Sequence, residues 1–200
     1  VPDGLPDSRR LRFWNATDAC CDFGGRAVDD VAYVTAVIDD MSARYRVDPS
    51  RVYLVGHSNG GYMAYRMACD RADRIAGIAS LAGANWKDTS RCRPSVSIPV
   101  VQIHGTKDDN VPYAGNVVTP TAKESVASFA ASNGCGATPT DGPARDIERR
   151  LPGSETTVLR WQGCKGGAAE LWTITDGAHI PTLTADFPAQ VYGFLSAFSR

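Results

Sequence analysis

At 200 residues, 43% hydrophobic and 22% charged, the chain has an ordinary globular composition and enough length to bury a sizeable core. A formal net charge of −1 with both signs interspersed excludes a basic face for nucleic acid. No apolar run approaches the ~20 residues that cross a membrane.

Six cysteines, at 20, 21, 69, 92, 135 and 164, include no C-x-x-C pair and no cysteine–histidine spacing of a zinc site. No metal is therefore expected. An even count without metal spacing predicts disulfides and an oxidising compartment, extracellular or periplasmic. Six cysteines allow about 15 pairings, and spacing does not choose among them.

The chain opens on "VPDGLPDSRRLRFWNATDACCDFGG", rich in Pro and Gly and without a sustained period, which predicts loop. Residues 27–45 predict a helix: Val28, Val31, Val34, Ile38, Met41 and Tyr45 recur at three- and four-residue steps, with Asp29 and Asp30 in the first turn. A turn at "VDPS" leads into a short apolar strand, Val52 to Val55. A glycine-rich turn and a helix over 61–72 follow, with Met63, Ala64 and Met67 on one face.

Residues 75–83 predict a second buried strand of small residues, 84–97 a loop, and 99–105 a third strand, "PVVQIHG". A helix over 120–132 should stop at Asn133-Gly134. Two alternating runs, 156–161 and 169–175, flank "QGCKGG" and predict a hairpin. A last amphipathic helix spans 186–200. Short buried strands alternating with helices give the fold class α/β, a mainly parallel sheet flanked by helices. "VPDG" reads as the exit from a strand. Residues 1–200 are thus expected to form one α/β unit, the C-terminal portion of a domain whose N-terminal strands lie upstream.

Gly56-His57-Ser58-Asn59-Gly60 fits G-x-S-x-G between a predicted strand and a predicted helix, the setting of a nucleophile elbow. The turn strains the serine backbone, so its neighbours must be tiny, and Gly56 and Gly60 are. A serine that merely caps the helix is the competing explanation. As a nucleophile, Ser58 needs an imidazole base within hydrogen-bond reach, and only three histidines exist. His57 should diverge from its neighbour, and His104, closing a buried strand, should be structural. His179, in "TDGAHIPTL" before the last helix, stands where the order Ser…Asp…His places the base.

For the acid, Asp108 and Asp109 follow a buried strand at its C-terminal end, where catalytic groups gather in α/β sheets. Asp176, three residues before His179, should only shape its turn. Asp108 is favoured. The Asn59 N–H is the expected oxyanion donor, and a second donor is expected from a loop upstream of the elbow.

The segments "VDDVAYVTAVIDDMSARYRVDPSRVYLVGHSNGGYMAYRMAC", "PVVQIHGTKDDNVPY", "SNGCGATPT", "VLRWQGCKGGAAELWTI" and "GAHIPTL" together resemble the polyhydroxybutyrate depolymerase and feruloyl esterase-like group of α/β-hydrolases, related to carbohydrate esterase family one. The resemblance implies a secreted serine esterase with its triad at Ser58, Asp108 and His179. It selects Asp108, which follows "HGT-x", over Asp109, and it pairs Cys135 with Cys164. Partners for Cys20 and Cys21 stay open, with Cys69 and Cys92 available.

One departure from the group is Ile180-Pro181-Thr182, where many members carry Trp-Pro-Gly. Trp14 and Trp86 are candidates to line a substrate cleft. Asn15-Ala16-Thr17 fits a glycosylation sequon. The expected activity is hydrolysis of carboxylic esters, either hydroxyalkanoate polyesters or feruloyl- and acetyl-type esters on carbohydrate. It would need no cofactor. A serine peptidase of related fold, or a non-catalytic binding protein of the same fold, are the rivals.

Overall fold

Residues 1–200 are described by a computed structural model. The first 25 residues, expected to be loop, carry only two two-residue strands, β1 (Leu5–Pro6) and β2 (Arg12–Phe13), paired antiparallel. Helix α1 runs Asp30–Arg44, capped by the Asp29 carboxylate, which accepts from the Ala32 N–H. Val34 is buried and Val31 and Ile38 pack against the core, but Met41 and Tyr45, at the same helical spacing, project into solvent. The apolar stripe is thus only half used.

Strand β3 (Tyr53–His57) leads through Ser58 into α2 (Asn59–Asp70), followed by β4 (Gly77–Leu81), β5 (Val100–Gly105) and α3 (Ala122–Ser132). The remaining elements are β6 (Thr140–Arg145), β7 (Thr156–Trp161), β8 (Ala169–Ile174) and α4 (Phe187–Ser196). Thr121 and Glu124 cap α3 reciprocally, so it starts where the sequence changes from proline-bearing loop to helix formers.

The main sheet has the order β3-β4-β5-β8-β7-β6. Strands β3, β4, β5 and β8 are parallel, and β7 and β6 join as antiparallel neighbours. Every residue of β4 and β5 is buried, as expected for central parallel strands covered on both faces. The side-chain alternation of β5 divides the core. Val100 joins α1, α2 and Phe129 of α3 on one face, while Val101 and Ile103 meet Phe187, Val191, Phe194 and Leu195 of α4 on the other. Gln102 and His104 therefore share the α2–α3 face.

Cys135 is bonded to Cys164, tying the end of α3 to the β7–β8 turn, as the resemblance implied. Cys69 is bonded to Cys92, and the adjacent Cys20 and Cys21 are joined to each other, so neither of the pair reaches Cys69 or Cys92. No helix is long and apolar enough to cross a membrane.

Candidate active site

Ser58 sits between the C-terminal end of β3 and the first turn of α2 with φ 53° and ψ −119°, backbone that a side-chain-bearing residue rarely adopts. The chain tolerates this because Gly56 has no side chain. A Cβ there would lie 2.1 Å from the Gly60 carbonyl oxygen. Ser58 donates its backbone N–H to Leu81 O, fastening the turn to β4. Its hydroxyl makes no helix cap. Instead, Ser58 Oγ lies 2.9 Å from His179 Nε2.

His179 Nδ1 is 2.8 Å from Asp108 Oδ2 and 3.0 Å from Oδ1. A carboxylate can only accept, so Nδ1 carries the proton and Nε2 is left free to accept from the serine hydroxyl. The two ends of this relay reach each other because the chain crosses itself closely at Gly105. A Cβ at that position would lie 2.2 Å from Gly177 O, in the loop that delivers His179.

Asp108 is fully enclosed, with none of its side chain exposed. Burial alone would push its carboxyl up. The N–H groups of His104, His179 and Val111 outweigh that and hold it down, at about 2. Oδ1 also accepts from the backbone N–H of Asn110 at 3.0 Å and Val111 at 2.8 Å, a turn that fixes the carboxylate in place. Asp109, by contrast, is exposed and touches Asn110 Nδ2, and Asp176 pairs with Lys107 Nζ at 3.1 Å. Neither reaches His179.

The other two histidines belong to this neighbourhood as well. His57, expected to diverge from Ser58, makes its contacts with His179. Its ring lies 4.9 Å from the His179 ring, and its Nε2 donates to His179 O at 2.8 Å. His104 is buried, as expected of a structural residue, yet its Nε2 is also 3.1 Å from Asp108 Oδ2. Sequence reasoning had one signal for the latter, the four-residue spacing from His104 to Asp108, and none for His57.

The Asn59 backbone N–H opens α2 and has no residue four back within the helix to accept it, so it stays available at the positive helix end. The Asn59 side chain donates to Arg12 O at 3.3 Å. An apolar cleft of about 300 Å³ is lined by Val1, Trp14, Leu54, Val55, Met63 and the elbow residues His57 and Asn59. Trp14, stacked on Tyr33, thus stands at a cleft beside the elbow.

Trp86 does not. It is buried, with the guanidinium groups of Arg66 and Arg91 over its ring at 5.5 and 3.8 Å. Asn15, of the sequon, is tied inward: its Nδ2 donates to Val28 O at 2.9 Å. No cluster of residues suited to a metal ion is present.

Residues 28–132, just over half of the chain, match the phospholipase/carboxylesterase family model. The chain is 30% identical over 179 residues to feruloyl esterase B of Piromyces equi, covering 83% of this chain and 31% of that protein. It is 26% identical over 154 residues to feruloyl esterase D of Neurospora crassa, covering 77% of this chain and 48% of the relative. It therefore spans less than half the length of either. The structure of acetyl xylan esterase from Aspergillus awamori superposes with a TM-score of 0.59 at 13% identity, over 84% of this chain and 67% of that one, a likeness of fold. These matches meet the feruloyl esterase-like resemblance and the α/β-hydrolase fold expected from the motifs.

Proposed function

This chain belongs to the phospholipase/carboxylesterase family, and from that membership we propose that it hydrolyses carboxylic esters by nucleophilic attack of Ser58. The observation that carries the proposal is the unbroken relay from Ser58 Oγ through His179 to the enclosed Asp108, with spacings of 2.9 and 2.8 Å. In this reading His179 takes the Ser58 proton as the hydroxyl attacks the ester carbonyl, then returns it to the leaving alcohol. Asp108 orients the imidazole and stabilises its protonated form. The Asn59 N–H donates to the developing oxyanion, aided by the α2 dipole. Water deacylates the serine by the same route.

The names of its relatives, feruloyl esterases and a bifunctional acetylxylan esterase/xylanase of Neocallimastix patriciarum, favour feruloyl- or acetyl-type esters over polyesters. Six cysteines engaged in three disulfides suit an enzyme of an oxidising, extracellular setting. The test is covalent labelling with a fluorophosphonate alongside hydrolysis of nitrophenyl acetate, methyl ferulate and a peptide anilide. Labelling at Ser58 with turnover of the esters supports the proposal. A folded chain that stays unlabelled would sink it, and faster cleavage of the anilide would turn it to peptidase chemistry.

A further inference from the structure

We propose that Gln102 and His104 form an inner relay that positions Asp108, and through it His179, for the ester hydrolysis proposed above, on which this inference rests. Neither residue is part of the relay that moves the serine proton. Both lie on the α2–α3 face of β5 and are at most 1% exposed. Two residues apart on one strand, their side chains stand side by side.

The hydrogen bonds dictate where each proton sits. Gln102 Nε2 donates to Gly83 O at 2.8 Å. A carbonyl cannot donate, so the amide nitrogen rather than the amide oxygen must face it. The same nitrogen lies 2.9 Å from His104 Nδ1 and points its second hydrogen there. Nδ1 is thereby an acceptor, and the His104 proton is placed on Nε2. That single N–H faces two acceptors. Val111 O is 2.8 Å away and is the better aligned, and Asp108 Oδ2 is 3.1 Å away.

His104 therefore pins the Asp108–Val111 turn to β5 from both ends, while Asn110 and Val111 close the turn from inside. The arrangement carries a cost in stability. Gln102 Oε1 is buried without a partner, a defect that an apolar residue at 102 would not have. Orientation of Asp108 is what that defect obtains. The titratable groups around the pair are Asp108, His179, Tyr113, whose ring meets His104 edge-on at 5.7 Å, and Tyr62, whose hydroxyl burial pushes up.

The experiment measures kcat, KM and the pH profile of nitrophenyl acetate hydrolysis for the wild-type chain, His104→Phe, His104→Gln and Gln102→Met, with thermal unfolding of each. His104→Phe should lower kcat about tenfold, the scale of the lost hydrogen bond to Val111 O that holds the turn carrying Asp108, with KM changed less than about twofold. The acidic limb of kcat/KM should move to higher pH, because Asp108, relieved of one donor, pulls harder on the His179 proton. His104→Gln returns an N–H near the place of Nε2 and should recover most of kcat. A folded His104→Phe with wild-type kcat and an unmoved limb would overturn the proposal.

Should His104→Phe fail to fold, Gln102→Met carries the test. It leaves His104 in place but releases its tautomer, so a smaller loss of kcat is expected, and wild-type kinetics would overturn the proposal. ¹⁵N-histidine NMR of the wild-type chain reads the same inference without turnover. The His104 proton should reside on Nε2, and a proton on Nδ1 would refute the relay. A wild-type chain that neither hydrolyses esters nor takes a fluorophosphonate refutes the function instead, and the NMR result still stands by itself.

Discussion

Replacing Asp108 with Asn separates charge from shape at an acid whose side chain is fully enclosed. Three N–H groups converge on the carboxylate: those of Asn110 and Val111 on Oδ1, and that of His179, nearest to Oδ2; His104 Nε2 stands 3.1 Å from Oδ2. An asparagine has one acceptor oxygen. Two well-aligned backbone donors should claim it at the Oδ1 place, which puts the amide NH₂ opposite His179 Nδ1. A donor there forces the His179 proton onto Nε2, where it faces Ser58 as a donor and can no longer take the serine proton. The expected loss in kcat is about 10⁴-fold, equivalent to roughly 5 kcal/mol of barrier, with little change in KM.

The same variant reads the stability link. With its carboxyl held at about 2 in the folded chain and near 4 when unfolded, ionised Asp108 contributes on the order of 2 kcal/mol. That contribution is complete above the unfolded value and is lost as pH falls from about 4 through about 2. Ester hydrolysis gives kcat, and urea unfolding at several pH values between neutrality and pH 2 gives stability. The wild-type advantage over Asp108→Asn should shrink over that acid window. A variant retaining a tenth of wild-type kcat, or a stability gap independent of pH, would refute the reasoning.

Ser58→Gly should abolish fluorophosphonate labelling while stabilising the chain, since glycine adopts φ 53° without penalty. A gain of about 1 kcal/mol, roughly 2–4 °C in Tm, is expected by calorimetry, and an unchanged or lower Tm would mean the elbow stores no strain. Gly105→Ala places a methyl 2.2 Å from Gly177 O, a backbone atom that cannot swing aside. Shifting the loop that delivers His179 should cost about 10²-fold or more in kcat with KM nearly intact. Wild-type turnover would show that the loop yields freely.

Much of this was legible because the signals are local. A glycine-bracketed serine between an apolar strand and an amphipathic helix can be read from one short stretch, and so can acids and bases that follow strand ends. Strand β6 was missed for an equally local reason. "TDGPAR" carries Gly and Pro and is largely exposed, a sequence a strand tolerates only at a sheet edge, and β6 is the edge. The surroundings of Trp86 are not legible in sequence, because an aromatic in a loop looks the same whether it faces a cleft or, as here, two arginines. The half-used stripe of α1 has the same origin: helical spacing shows which residues share a face, not how far that face meets a partner.

The histidines show where residue-by-residue assignment gives out. Elimination among three candidates assumes that the site needs one imidazole and that the others are elsewhere. Here one imidazole lies within hydrogen-bond reach of the serine hydroxyl, a second donates to the backbone carbonyl of the first, and a third stands 3.1 Å from the carboxylate that the first contacts. The last two donate to backbone carbonyls, those of His179 and Val111, and these contacts depend on which residues β5 aligns and where the His179 loop crosses it. A base within reach of a serine is found from chain order. The shell that holds it to the tenths of an ångström on which turnover depends is a property of strand alternation and loop crossing, and it becomes visible only once both are in place.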